Sequence, residues 1–298
     1  MKKKILYFFK IFFGTVVIFY LYYTNKISLQ FFSDFFNLKQ LFFSITFFIL
    51  FYLLSVFRWF YILKNIDKNI KFVECFKYDS SSIIFNFILP IGEISGEIYR
   101  GYLLNKEKKI NMKKTIASII IDRGSGALSL IFISILFLPF LLYFKYNTYF
   151  FFLFYLLVIF FLFKLKKFSN ILLKLFSKFI SYDLILLQKT ILPCIIISIF
   201  SFSLYFISMI FLYENITSNF EILLKSILIF PFGLLINALP ISPGGIGIGS
   251  LGFIFLSNFF YKENYIFLEN GILAMQILFL LIGLILFFYF YLINIKKN

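Results

Sequence analysis

Residues 237–250 read NALPISPGGIGIGS and interrupt an apolar run that extends over 226–260. The two prolines and four glycines of this stretch cannot continue a regular helix. Each apolar flank has about 15 residues, whereas a helix that crosses a bilayer needs roughly 20. We therefore predict two half-helices that meet near the middle of the membrane and enter it from outside.

A second interrupted segment lies at 83–99, where residues 86–92 read NFILPIG. Both interrupted stretches contain an Asn followed by Leu-Pro-Ile. Lys-rich loops flank 83–99 on both sides, and such loops are typical of the cytoplasmic face. A re-entrant hairpin that enters and leaves on that face satisfies both loops. Paired broken segments of this kind indicate an inverted repeat with a binding site at the repeat interface.

The composition is typical of an integral membrane protein, since 62% of the 298 residues are hydrophobic and only 14% are charged. We predict an all-α, polytopic fold with about six full transmembrane helices plus two re-entrant hairpins, at 83–99 and 226–260. The chain is expected to be a single membrane domain over 1–298 without a soluble domain. Full spans are expected at 5–23, 40–63, 115–144, 147–163, 191–213 and 270–294.

The basic balance of the chain, a net charge of +16, fits loop charge and contact with anionic lipid headgroups rather than nucleic-acid binding. The positive-inside rule predicts cytoplasmic N- and C-termini. The chain contains no His, and Cys75 and Cys194 are isolated, so neither a metal site nor a cofactor is expected.

Arginine is confined to one part of the chain, at Arg58, Arg100 and Arg123, while all other basic residues are Lys. Arginine binds carboxylate or phosphate through two parallel hydrogen bonds, which Lys cannot form. Ionisable groups at membrane depth mark a functional site by default. A codon bias towards Lys explains the scarcity of Arg but not its placement.

Three charged residues of the first interrupted segment are spaced to share one face of a helix. Glu93, Glu97 and Arg100 stand at positions i, i+4 and i+7. They predict a water-accessible cleft that binds a polar headgroup, although an ion-pair network that only fixes the hairpin stays open. Asp122 and Arg123 lie in the next full helix, where Arg123 would bind a phosphate or pair with a Glu, or form a local interhelical ion pair.

The remaining candidates are polar or glycine residues at the breaks, together with Arg58. Gly244, Gly245 and Gly247 would expose backbone N–H groups to an anion such as a lipid phosphate, or form a tight packing turn. Asn86 and Asn237 are expected to hold broken backbone in place more than to contact a ligand. Arg58 would either bind lipid phosphate or extend to the cytoplasmic surface.

Four motifs carry a resemblance to a known family. They are Arg58 at the end of the second segment, NxxLPxGExxGExxR over 86–100, DRxxG over 122–126 and PISPGGIG over 240–247. With these motifs the chain resembles the flippase-like membrane family that includes the transmembrane region of lysylphosphatidylglycerol synthases. Members of that family often have a Glu shortly after the last turn, where this chain has Ser250.

The resemblance implies translocation of a phospholipid or a lipid-linked substrate, such as an aminoacylated phosphatidylglycerol, in the plasma membrane. In two-domain members a soluble domain attaches lysine to the lipid, so without it we expect no synthesis of lysyl-lipid. Two alternatives stay open. One is an accessory subunit of a partner synthase or glycosyltransferase. The other is an enzyme of envelope lipid or glycan synthesis with Glu93 or Glu97 as the base. The protein could itself form a homo-oligomer in either case.

Overall fold

The computed structural model of the protein describes residues 23, 38–88, 93–146, 183–212, 220–239, 242, 245, 247–262 and 266–295. The secondary structure of these residues is helical, which confirms the all-α prediction. The helices are α1 (Leu38–Lys64), α2 (Phe72–Ile88), α3 (Glu93–Lys108), α4 (Met112–Tyr146), α5 (Asp183–Phe211), α6 (Phe220–Asn237), α7 (Ile248–Tyr261) and α8 (Ile266–Ile295).

Five of the described helices are long and apolar enough to cross a membrane. They cover Lys39–Lys64, Met112–Tyr143, Lys189–Phe211, Phe220–Asn237 and Gly271–Phe290. Four of the five coincide with predicted full spans, so the protein is a multi-pass membrane protein. The predicted spans at 147–163 and, apart from Tyr23, at 5–23 lie outside the described residues.

Both predicted breaks fall between helices. α2 ends at Ile88 and α3 begins at Glu93, and the two helices pack against each other as a hairpin. α6 and α7 form the second hairpin around 238–247. α6 begins six residues before the predicted apolar flank, and its 18 residues make it a candidate span, while α7 has 14. The re-entrant path of both hairpins stays a prediction, because it depends on where the bilayer lies.

The described helices form two units of four with the same order. α1–α4 and α5–α8 each contain a long helix, two helices that form the hairpin, and a second long helix. The units exchange contacts reciprocally, since α2 packs on α8 and α6 packs on α4. Each hairpin therefore lies against the last helix of the other unit.

The first helices of the two units, α1 and α5, pack in opposite directions. Towards the beginning of α1, Oγ of Ser44 lies 3.2 Å from Oγ of Ser208, which is close to the end of α5. Towards the end of α1, Nη1 of Arg58 donates a 2.7 Å hydrogen bond to Oγ of Ser198, which is earlier in α5. This pair of corresponding helices is thus antiparallel, as is expected for an inverted repeat.

The apolar core has two main clusters. The larger joins α1 and α4–α8 and includes the fully buried side chains of Met209, Phe253 and Met275. The second joins α1, α2 and α3 around Trp59 and Tyr78, which are also fully buried. Arg100 lies over the Trp59 ring and pairs with Asp122, so this second cluster adjoins charged residues of the first unit.

Candidate functional site

Six charged side chains of the first unit meet between helices α1, α2, α3 and α4. They are Arg58 of α1, Asp79 of α2, Glu97 and Arg100 of α3, and Asp122 and Arg123 of α4. We call this group the charge cluster. Its three arginines and three carboxylates balance, which lowers the cost of holding ionised groups away from water.

Asp122 is the buried anion that joins two of the arginines. Its Oδ1 accepts a 2.7 Å hydrogen bond from Nε of Arg58, and its Oδ2 accepts a 2.7 Å hydrogen bond from Nη2 of Arg100. The side chains of Arg58 and Asp122 are 6% and 2% exposed. Arg58 also donates to Ser198, which connects the cluster to the first helix of the second unit. Neither Arg58 nor Arg100 therefore extends to the surface.

Arg100 is the most deeply buried cation of the cluster, with a side chain that is 2% exposed. Besides Asp122, it pairs with Oδ1 of Asp79 at 2.7 Å and with Glu97. Its guanidinium carbon lies 4.3 Å from the centre of the Trp59 ring, which adds a cation–π contact. The indole N–H of Trp59 in turn donates to Oγ of Ser118 at 3.3 Å, so the ring is held from α4.

Arg123 is the exposed cation of the charge cluster. Its Nε donates a 2.7 Å hydrogen bond to Oε1 of Glu97, and its Nη2 contacts the same oxygen. The Arg123 side chain is 45% exposed, whereas the Glu97 side chain is 9% exposed. Glu97 therefore bridges the buried Arg100 and the exposed Arg123. A molecule that reaches the cluster from outside would meet Arg123 first.

Asn86 fixes the helix that supplies Glu97 and Arg100. The buried Asn86 side chain accepts a 2.9 Å hydrogen bond from the backbone N–H of Gly96 through Oδ1. A Cβ at Gly96 would lie 2.3 Å from that oxygen and 2.7 Å from the carbonyl oxygen of Ser82. Only Gly therefore allows α3 to approach α2 this closely, next to the charge cluster.

Asn237 is in the corresponding place in the second hairpin. Its Oδ1 accepts a 2.7 Å hydrogen bond from Nε2 of Gln276 in α8. Cβ atoms at Gly245 and Gly249 would lie 2.5 Å and 2.4 Å from the same oxygen. Gln276 is the eleventh residue of α8, as Asp122 is of α4, and both side chains are buried, but Gln276 is an uncharged amide and Asp122 a carboxylate.

The structure describes two of the three candidate glycines of the second break. Gly245 and Gly247 have φ values of +72° and +81°, a region that residues with a Cβ rarely adopt. Gly244 lies outside the described residues, as does the side chain of Glu93. Gly247 directly precedes α7, so its conformation determines where that helix begins. Binding of an anion at these glycines stays a prediction.

The sequence analysis missed one member of the charge cluster and three polar residues outside it. Asp79 was not among the candidates, although it precedes Asn86 by seven residues and therefore shares a helix face with it. Ser198 and Ser118 gave no signal, because Ser is common on apolar helices. Gln276 was also missed, yet it is an amide within a strongly apolar segment, which is the pattern that could have indicated it.

The cluster has the chemistry of anion binding through arginine. In the part of the chain that the structure describes, no group of three or more His, Cys, Asp or Glu side chains is arranged to hold a metal ion. Each carboxylate of the cluster pairs with at least one arginine. Arg123 is the arginine of the cluster that an anion can reach from outside, because its side chain is 45% exposed.

Comparison with models of protein families identifies the family of the chain. Residues 10–268 match the family described as lysylphosphatidylglycerol synthase TM region. The chain belongs to this family. The match to the lysylphosphatidylglycerol synthase TM region covers every residue of the charge cluster and both hairpins. Membership associates the protein with lipid-related functions of the cell envelope. No curated protein and no solved structure matches the chain significantly.

Proposed function

We propose that the protein translocates a phospholipid or a lipid-linked substrate across the membrane, with the phosphate of the headgroup bound at Arg123. Family membership supports a lipid-related role. The observation that carries the proposal is the position of Arg123, a 45% exposed arginine at the edge of an otherwise buried and charge-balanced cluster. Aminoacylated phosphatidylglycerol is one substrate that combines a phosphate with a cationic group.

The first step of the proposed cycle is an exchange of anions. A headgroup phosphate replaces Glu97 on the guanidinium of Arg123, because both are anions that accept two parallel hydrogen bonds. Glu97 keeps its contact with Arg100 and so does not become an unpaired charge. A substrate with an amino group would find its counter-ion in the released oxygen of Glu97.

The buried part of the cluster supports this exchange. Asp122 holds Arg58 and Arg100 through 2.7 Å hydrogen bonds, so both cations stay in place when the phosphate replaces Glu97 on Arg123. Asn86 fixes the beginning of α3 against α2 through Gly96. The acyl chains stay in the lipid phase, since the cluster offers contacts only to a polar headgroup.

Translocation by purified protein in lipid vesicles tests the proposal. Fluorescent anionic and zwitterionic phospholipids would be incorporated, and the fraction accessible to an external reductant would be followed with wild type and with Arg123→Gln. We expect wild type to move the anionic lipid and Arg123→Gln to move it about 10- to 100-fold more slowly, because a hydrogen bond to a charged group contributes about 1.5–3 kcal/mol.

Lys113→Gln provides the matched control. Lys113 is an exposed cation of the same helix, ten residues before Arg123, and its replacement removes the same charge from the protein. We expect Lys113→Gln to behave as wild type. Equal rates for Arg123→Gln and wild type, with both proteins folded, would refute binding at Arg123. Absence of lipid movement by wild type would refute translocation of these lipids.

A structural role as an accessory subunit is the second candidate, and one observation favours it. The six charges of the cluster satisfy one another, as they would in a network that serves assembly alone. This candidate predicts that the protein co-purifies with a synthase or glycosyltransferase and moves no lipid. It also predicts that Arg123→Gln weakens that association, whereas Lys113→Gln leaves it intact.

A further inference from the structure

Among the described residues, an open cavity of about 380 Å³ lies where α1, α2 and α5 meet. All of its lining side chains are apolar. They are Leu50, Leu53, Leu54, Phe57, Phe72 and Leu204. The α1 residues of this lining extend over two turns, or roughly 10 Å along the helix. The cavity is thus an elongated apolar space beside a predicted full span.

Water is a poor occupant of such a space. A buried or half-buried water needs two to four polar partners, and the lining side chains provide none. An empty space would forfeit dispersion contacts on all of its walls. Within a bilayer, a lipid acyl chain matches the apolar lining of the cavity.

Basic side chains lie at one end of the cavity. The ring of Phe60 contacts the rings of the lining residues Phe57 and Phe72, at centroid distances of 6.1 Å and 5.8 Å. The ammonium of Lys64 lies 5.7 Å from the centre of the Phe60 ring. Lys71 directly precedes Phe72 in the chain and is exposed. The cavity therefore ends at a cationic rim.

The loop that carries this rim is basic overall. Residues 64–71 contain Lys64, Lys68 and Lys71, all exposed, with Asp67 as the acidic residue of the loop. Glu74, the next acid along the chain, pairs with Lys108 of α3 through its Oε1. The positive-inside rule predicts that this loop faces the cytoplasm, where the leaflet surface is rich in anionic lipid.

We propose that this cavity and its rim form a binding site for an anionic phospholipid of the cytoplasmic leaflet. One acyl chain occupies the cavity between α1, α2 and α5, and the phosphate lies among the lysines of the loop. This site is separate from Arg123 and does not depend on translocation. Occupation would join α2, the first helix of the first hairpin, to the α1–α5 pair.

Quenching of tryptophan fluorescence by brominated lipid tests the site. Phe57→Trp would place a second tryptophan in the cavity wall, while Leu281→Trp would place one on an exposed apolar position of α8 as a matched control. The protein without either change supplies the signal of Trp59. Each variant would be measured in vesicles with phosphatidylglycerol or phosphatidylcholine brominated in the acyl chain, at equal mole fractions.

We expect brominated phosphatidylglycerol to quench Phe57→Trp more than brominated phosphatidylcholine does, and both lipids to quench Leu281→Trp equally. In the Phe57→Trp protein, Lys64→Ala or Lys71→Ala should lower the preference for phosphatidylglycerol over phosphatidylcholine about fivefold for each lysine removed. Lys113→Ala should leave this preference unchanged. Equal quenching of Phe57→Trp by the two lipids would overturn the proposal. So would a preference that survives the loss of both lysines.

Discussion

Neutralising Asp122 is the change to which the charge cluster should be most sensitive. Asp122→Asn preserves the size of the side chain but removes the anion that accepts hydrogen bonds from Arg58 and Arg100. An Asn side chain has one acceptor oxygen, so one guanidinium would face an N–H group instead. Three cations would then oppose two carboxylates inside the bundle. Breaking a buried ion pair in this way costs about 3–5 kcal/mol.

This loss is a large part of the total stability, since folded domains are stable by only about 5–15 kcal/mol. The assay is the free energy of unfolding in detergent, followed by circular dichroism as a denaturant is added. Glu107→Gln is the control, because Glu107 pairs with Lys77 nearer the surface. That change should cost about 1 kcal/mol or less.

Removing one cation together with the anion should restore part of the stability. Arg58→Met combined with Asp122→Asn leaves two arginines and two carboxylates in the cluster. We expect the double variant to be more stable than the sum of the two single losses predicts. Ser198 would lose its bond from Arg58 but would keep its own hydrogen bond to the carbonyl oxygen of Cys194. An Asp122→Asn variant as stable as Glu107→Gln would refute the buried network.

Two further predictions use the same unfolding measurement. Gly96→Ala should destabilise the protein by about 1–3 kcal/mol, because the new Cβ would lie 2.3 Å from Oδ1 of Asn86. Gly124→Ala is the control and should be neutral or slightly stabilising, because no described atom lies within 4 Å of its Cβ. Equal effects of the two alanines would contradict the close approach of α3 to α2. Gln276→Leu should cost about 1–3 kcal/mol, since Asn237 would lose its 2.7 Å hydrogen bond, and an unchanged stability would show that this bond contributes little.

The sequence is most informative about the two breaks. Pro and Gly interrupt helices for local reasons, so the stretches 86–92 and 237–250 indicate where helices end without knowledge of the tertiary structure. The beginning of α6 was predicted less accurately, at residue 226 instead of Phe220. The polar residues at its start include Glu221 and Lys225, which pair at i and i+4, so the helix extends beyond the apolar flank.

The partners of each charge could not be predicted from the sequence. The three arginines were recognised because Arg is scarce, but which of them is exposed depends on how four helices pack. Arg58 and Arg100 are enclosed by Asp79, Asp122 and Ser198, which come from helices α2, α4 and α5. Periodicity places residues on a helix face, whereas it does not determine which face of another helix they meet.

The inverted repeat was indicated by one short similarity, the Leu-Pro-Ile of the two breaks. The structure adds the reciprocal packing of α2 on α8 and α6 on α4, and the antiparallel pairing of α1 with α5. It also shows how the units differ. The first has charges around Arg100, whereas the second has Phe253 and Gln276 buried in its hairpin region. The six residues of the charge cluster therefore all belong to the first unit.

The most direct measurement for the central claim is binding of a short-chain anionic phospholipid to purified protein, measured by titration calorimetry with wild type and Arg123→Lys. Lys keeps the positive charge but loses the paired hydrogen bonds that a phosphate accepts from a guanidinium. We predict that wild type binds the lipid and that Arg123→Lys binds it about tenfold or more weakly, while Lys113→Gln binds it as wild type does. Equal affinity of Arg123→Lys and wild type would contradict headgroup binding at Arg123.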